Sequence, residues 1–397
     1  MTIDQQGRQF RLLTTHCVLS SLALSLAGGF IGAYLLQLGF SVAAALTING
    51  ILLAIRCAMR AALLPAIRSL GAGRALLVGR ALMALQFLPL VHADRPAWLI
   101  AWVLTVSMGE CIYWPICHAA YAVSGGGGRR GWQIALRQIA CTGVSVGGPM
   151  IGGQILTRIG ASAEFELATI LGLLSATPLL WMNHLDLGPI PTLRQSMRLS
   201  DNIGLLAFAG DGWMSAGLGI AWPMVLFSSL GSSFDALGWA SSVAALAGAL
   251  AGLGCGIAID RGHRATLTRA VTAALILSVV MRLASGWTPW AAFAANAFGS
   301  AVGGAYYPVL MSMIYDRAKR SGSAYHFHLA AEVGWDAGAI AGCMASAAVA
   351  CSGLPSVFVT LPSVLGIMLI HYCIRSDRPV GSVLAVRDQV VSEPVAG

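Results

Sequence analysis

Four acids and two arginines stand deep inside long apolar stretches of this chain: Glu110, Asp211, Glu332, Asp336, Arg56 and Arg137. Glu332 and Asp336 lie one helical turn apart in AAEVGWDAG. Two carboxylates on one face in a low-dielectric medium would not both ionise, so one would hold a proton near the operating pH. Such a pair can take up a proton in one environment and release it in another; the competing expectation is that both neutralise arginines across an interface. Glu110, Trp114, His118 and Tyr121 recur at helical spacing beside Pro115, which would locally free a carbonyl. That stripe offers a titratable acid, an aromatic platform and donors, or else a structural ion pair of Glu110 with Arg137 or Arg56. Asp211 sits between Gly210 and Gly212, just before Trp213, in a stretch also broken near Trp222-Pro223. It is expected either to bind a ligand or to bond a kinked backbone. Arg60, Arg80 and Arg282 fall near stretch ends and are expected to snorkel. The His326-x-His328 pattern reads as a polar helix end rather than a metal site.

The elements that position these residues follow from composition. The chain has 397 residues, 57% of them hydrophobic and 10% charged, with a mean hydropathy of +0.76. A soluble domain carries about a quarter charged residues, so lipid and not water is the expected solvent. A membrane-crossing helix needs about 20 mostly apolar residues. Twelve stretches qualify: 12–37, 41–66, 74–92, 97–122, 131–157, 163–184, 202–229, 236–259, 265–286, 289–315, 323–351 and 355–375. In lipid each must pair its own backbone groups, which predicts an all-α membrane protein. The N-terminus leads into the first stretch without a small-residue cleavage site, so no signal peptide is expected. The nine cysteines lie mostly singly in apolar segments and read as small buried hydrophobes. Walker loop and HExxH patterns are absent, and no cytoplasmic domain is large enough for an ATPase. An enzyme is therefore not expected, and neither a cofactor nor a metal is called for.

The net charge of +8 lies in short clusters between apolar stretches, which argues against nucleic acid. With a cytoplasmic N-terminus only Arg95 and Arg158 fall outside. Arg56, Arg60, Arg80, Arg137 and Arg282 fall within stretches, and the rest fall inside. This bias places both termini in the cytoplasm of a multi-pass protein of the inner (plasma) membrane. The chain also repeats itself. YWP at 113–115 returns as YYP at 306–308; each is followed by a tyrosine, a basic turn and a helix with early polar residues. AGR at 72–74 similarly matches GHR at 262–264. The repeat predicts a six-helix bundle over 1–184, a linker over 185–201, a second bundle over 202–376 and a tail over 377–397, the bundles related by a pseudo-twofold axis.

Two motifs resemble the major facilitator superfamily. GIAIDRGHR at 256–264 is similar to its signature loop Gly-x-x-x-Asp-Arg-x-Gly-Arg: Gly256, Asp260, Arg261 and Arg264 match, and His263 replaces a glycine. The first-half copy, PAIRSLGAGR, keeps Arg74 but has Leu70 in place of the aspartate. GVSVGGPMIGG at 143–153 resembles the motif of the drug/proton antiporter branch through Gly148, Pro149, Gly152 and Gly153. The resemblance implies twelve helices in two pseudo-symmetric bundles and proton-coupled alternating access that moves a small organic solute, in efflux. It also turns Glu110 and Asp211 towards a central cavity. Glu332, Asp336 and Glu110 are the expected proton carriers. Asp211, Trp213, Tyr113, Trp114, His118, Tyr306, Tyr307 and Arg137 are the expected substrate contacts. Asp260, Arg261 and Arg264 would latch a cytoplasmic gate, and Gly148, Pro149, Gly152 and Gly153 would let helices approach and slide. The expected partners are a small-molecule substrate, protons and the lipid bilayer, and a monomer is expected. An importer or facilitator of a metabolite or metal chelate, and a non-transporting sensor of the same shape, are the alternatives.

Overall fold

The structure is a computed structural model describing residues 3–123, 130–182, 187, 190–196, 201–261 and 264–376. The side chains of Tyr121, Arg137, Asp260 and Arg264 lie outside the described residues. The described residues form an all-helical fold with twelve long elements. In chain order these are α1 (Ile3–Ala27, continuing through a 3₁₀ turn into Ile31–Gln37), α2 (Val42–Ala62), α3 (Ala72–Leu85, extended by Phe87–Leu90), α4 (Pro96–Val123), α5 (Arg130–Arg158) and α6 (Ala161–Ala176). The second half holds α7 (Asn202–Ser215, extended through Trp222–Ser229), α8 (Phe234–Asp260), α9 (Arg264–Ala284), α10 (Pro289–Arg320), α11 (Ala324–Cys351) and α12 (Ser363–Ser376). Among the described residues eleven helical segments are long and apolar enough to cross a membrane; α5, with 29 residues, is the twelfth of the predicted stretches. The first helix begins nine residues before the predicted apolar stretch, because its opening turns (Ile3 to Phe10) are polar and an apolar scan passes over them.

Helix starts are set by side-chain caps that satisfy orphan amides. Ser41 accepts from Ala44 N at 3.1 Å, Asp201 from Gly204 N at 2.9 Å and Thr288 from Ala291 N at 3.1 Å. Asp201 is held in turn by Arg317 at 2.7 Å, which ties the start of α7 to the end of α10. The predicted break in α7 is a π-helical segment, Ala216–Ala221, directly before Trp222 and Pro223. Proline lacks an amide and crowds the carbonyl four residues back; a widened turn removes that clash without ending the helix.

Helix pairings repeat at a six-helix offset. α1 packs on α5 and α6 as α7 packs on α11 and α12; α3 packs on α4 as α9 packs on α10. Two seams join the halves, α5 with α8 and α2 with α11. The first is a backbone contact. A side chain on Gly153 would collide with the Phe234 carbonyl, and one on Gly238 with the Pro149 carbonyl. Gly148 and Gly152 instead face α1, against Ser25 and the Leu26 carbonyl. The antiporter-like motif thus has two close-approach faces, one inside its own half and one across the seam. Replacing Gly153 with valine should wedge α5 from α8 and cost about 1–3 kcal/mol through overpacking. Thermal unfolding in detergent should report that loss, and an unchanged midpoint would contradict the close contact.

Candidate substrate and proton site

A cavity of about 490 Å³ lies between the halves, within the range of small-molecule sites. Its wall includes Asn49 and Arg56 from α2, Trp102, Glu110, Trp114 and His118 from α4, Phe208, Asp211 and Pro223 from α7, Tyr307 from α10, and Glu332 and Trp335 from α11. Cα positions four residues apart stack on one helical face, which carries Glu110, Trp114 and His118 to the cavity together. The π segment brings Gly219 and Ile220 to the same space.

One wall is an ion-pair lattice along the α2–α11 seam. Arg56 and Arg60 are four residues apart on α2, and they meet Glu332 and Asp336, four apart on α11. Arg60 Nε donates to Asp336 Oδ2 at 2.6 Å and its Nη2 to Glu332 Oε2 at 3.0 Å. Arg56 Nε donates to Asp336 Oδ1 at 2.7 Å, and its Nη1 pairs with Glu110. Asp336 is fully buried, whereas the Glu110 side chain is 23% exposed. The second oxygen of Glu332 lies 3.7 Å from His118 Nε2. His118 is stacked between Trp114 and His328, at centroid distances of 5.7 and 5.4 Å. His328, expected at a polar helix end, is fully buried, and neither ring nitrogen has a hydrogen-bond partner among the described residues.

The opposite wall centres on Asp211. It accepts from the Tyr306 hydroxyl at 2.8 Å and from Trp335 Nε1 at 2.9 Å, two neutral donors. The two walls touch at Trp335, whose ring lies 4.8 Å from the Arg56 guanidinium carbon.

The predicted site residues therefore divide. Glu110, Trp114, His118, Asp211, Tyr307 and Glu332 line the cavity, while Asp336 and Tyr306 hold residues that do. Tyr113 points into the first half, where its hydroxyl meets His16 Nε2 at 2.8 Å. Trp213 points to α12 and donates to the Pro362 carbonyl at 2.8 Å. Arg261 is exposed at the end of α8; Arg137, Asp260 and Arg264 fall outside the described side chains. Three arginines depart from expectation. Arg60, Arg80 and Arg282 are buried and do not snorkel. Arg80 donates to Ser175 Oγ at 2.6 Å, and Arg282 donates to Ser278 Oγ at 3.0 Å with Trp222 5.0 Å from its guanidinium carbon. Position along a helix sets how far a side chain must reach for water, but each of these points inward, and Gly172 and Gly299 leave the space for two of them.

A crystal structure of a D-xylose-proton symporter superposes on this chain with a TM-score of 0.63, covering 92% of this chain and 97% of its own at 14% identity. The chain has the major-facilitator fold. No family model and no curated protein matches the sequence. In that major-facilitator frame, α1, α2, α4, α7, α10 and α11 surround the cavity, and the chain is a multi-pass membrane protein. Sequence reasoning missed Trp335, which joins the two walls. Its only sequence signal was its place beside Asp336, on a helix already marked by two acids.

Proposed function

We propose that this protein is a secondary transporter that exchanges protons for a small organic cation by alternating access, in the direction of export. The observation that carries this reading is the charge imbalance of the cavity and its adjoining pairs. Among the described residues four carboxyl groups, Glu110, Asp211, Glu332 and Asp336, face two guanidiniums, Arg56 and Arg60. Surplus carboxyl groups away from bulk water favour uptake of either a proton or a cation, and binding one weakens binding of the other. Trp102, Trp114, Tyr307 and Phe208 offer ring faces on which an organic cation gains further attraction. The fold neighbour is a proton symporter by name, which supports proton coupling on this scaffold.

In this reading Asp211 takes the cation. Glu332, with Asp336 and Glu110, handles the proton. Asp260, Arg261 and Arg264 latch the cytoplasmic end, and the glycines of α5 allow the halves to rock. The protein works as a monomer in the inner membrane with both termini cytoplasmic.

Tetraphenylphosphonium is a suitable probe. Asp211→Asn should weaken its binding to purified protein about tenfold, equivalent to about 1.4 kcal/mol, while leaving the elution profile unchanged. Inverted vesicles under an imposed pH gradient test direction: proton-driven uptake into them is expected for export. Uptake only into right-side-out vesicles would favour an importer. No flux of the probe or of any screened solute in either orientation would overturn the transport reading.

A further inference from the structure

Trp335 makes two different contacts at right angles with one rigid ring. In its plane, Nε1 donates to Asp211 on α7. Across its face lies the Arg56 guanidinium from α2, in the other half of the molecule. The next residue along α11, Asp336, grips that same arginine and Arg60 besides. The backbone behind the indole is fixed: a side chain on Gly212 would collide with the Trp335 carbonyl, so α7 and α11 touch there without intervening atoms. With the two backbones in contact there, a shift of the Asp211 side chain would fall on its two donors, the indole ring and the Tyr306 hydroxyl. The ring in turn bears on Arg56, which joins Glu110 on α4 to Asp336 on α11. An indole suits both tasks, having a strong in-plane donor and the best π face for a cation.

We propose that Trp335 is a positioning residue that transmits the state of Asp211 to the ion-pair seam between α2 and α11. Its meaning for transport rests on Asp211 being the cation site, but the physical link does not. Occupancy at Asp211 releases the indole, the indole loosens Arg56, and the carboxyl groups that Arg56 and Arg60 hold then become free to exchange protons.

The test is a double-mutant cycle read by hydrogen–deuterium exchange of the α2 amides, with full-length protein in lipid nanodiscs. Asp211→Asn should raise α2 exchange about threefold or more. Trp335→Leu should raise it as well, and adding Asp211→Asn to that background should change nothing further. Trp335→Phe keeps the face for Arg56 and loses the N–H; it should equally abolish the response to Asp211→Asn, and it serves for the cycle if the leucine variant does not fold. Equal responses with and without Trp335 would overturn the proposal, as would an α2 that ignores Asp211→Asn in the otherwise native protein. Tetraphenylphosphonium binding, measured alongside, separates the two readings. Its absence from the native protein counts against the cation site, while the exchange cycle still decides on Trp335.

Discussion

Asp336→Asn should destabilise the protein more than any other single change at the site, by about 3–5 kcal/mol. The side chain is fully buried, and each of its oxygens holds a different arginine. Asparagine preserves the volume but brings no charge and has one oxygen in place of two. Two guanidiniums would then share Glu110 and Glu332, the first of them partly exposed. An unbalanced cation away from water has no inexpensive resting place, since even a single arginine at the centre of a membrane helix costs about 2.5–3.5 kcal/mol on insertion scales. Thermal unfolding in detergent micelles measures the loss. Adding Arg60→Gln should recover part of it, because the second change removes the charge that the first left unpaired. A variant Asp336→Asn that melts with the native protein would show the α2–α11 lattice to be unimportant for folding.

The two seams that join the halves occupy equivalent places in the pseudo-symmetric bundle but differ in chemistry. Between α5 and α8 the contacts at Gly153 and Gly238 are close and run through glycine and backbone carbonyls, with no ion pair among the described residues. Between α2 and α11 it is ionic: an arginine pair at four-residue spacing meets an acid pair at the same spacing. Opening the second seam requires water or protons to replace the broken pairs. In the proposed transport cycle, movement of the halves would be linked to the ionisation of the α2–α11 seam.

Much of this was legible in the residues. The acid pair at 332 and 336, the stripe Glu110–Trp114–His118 and the glycines of α5 all depend on spacing within one helix, which a sequence displays. The Arg56–Arg60 pair has the same spacing and could have been matched to the acids as a complementary ladder. Other features depend on how each helix is rotated about its axis relative to its neighbours, which no local pattern encodes. Tyr113 and Trp213 share helices with cavity residues but point away from it, towards His16 and α12. Arg60 has the depth of a snorkelling residue, yet it faces α11. The Trp335–Asp211 bond spans 124 residues of sequence, and a tryptophan within an apolar stretch otherwise reads as core.

Glu332→Gln should abolish the response of solute flux to a pH gradient while leaving the fold intact. Of the three acids in the lattice, Glu332 is the one with an imidazole near its second oxygen. One oxygen accepts from Arg60 at 3.0 Å, and the other has His118 at 3.7 Å and the cavity beyond. Asp336 gives an oxygen to each arginine, so a proton arriving there must displace a charged contact, whereas Glu110 gives one oxygen to Arg56 and is the most exposed of the three. Glutamine keeps an acceptor for Arg60 but cannot exchange a proton. One-for-one exchange with protons gives about a tenfold accumulation for each pH unit of imposed gradient, equivalent to about 1.4 kcal/mol, and that gain is what the substitution should remove. Counterflow of unlabelled against labelled solute needs no net proton movement and should persist. In proteoliposomes the native protein should accumulate the probe in proportion to the imposed gradient, and the variant should only equilibrate it. Undiminished proton-driven accumulation by the Glu332→Gln variant would take this residue out of the relay. Loss of counterflow together with accumulation would make it a gate or fold residue, because only a carrier of the proton can separate the two measurements.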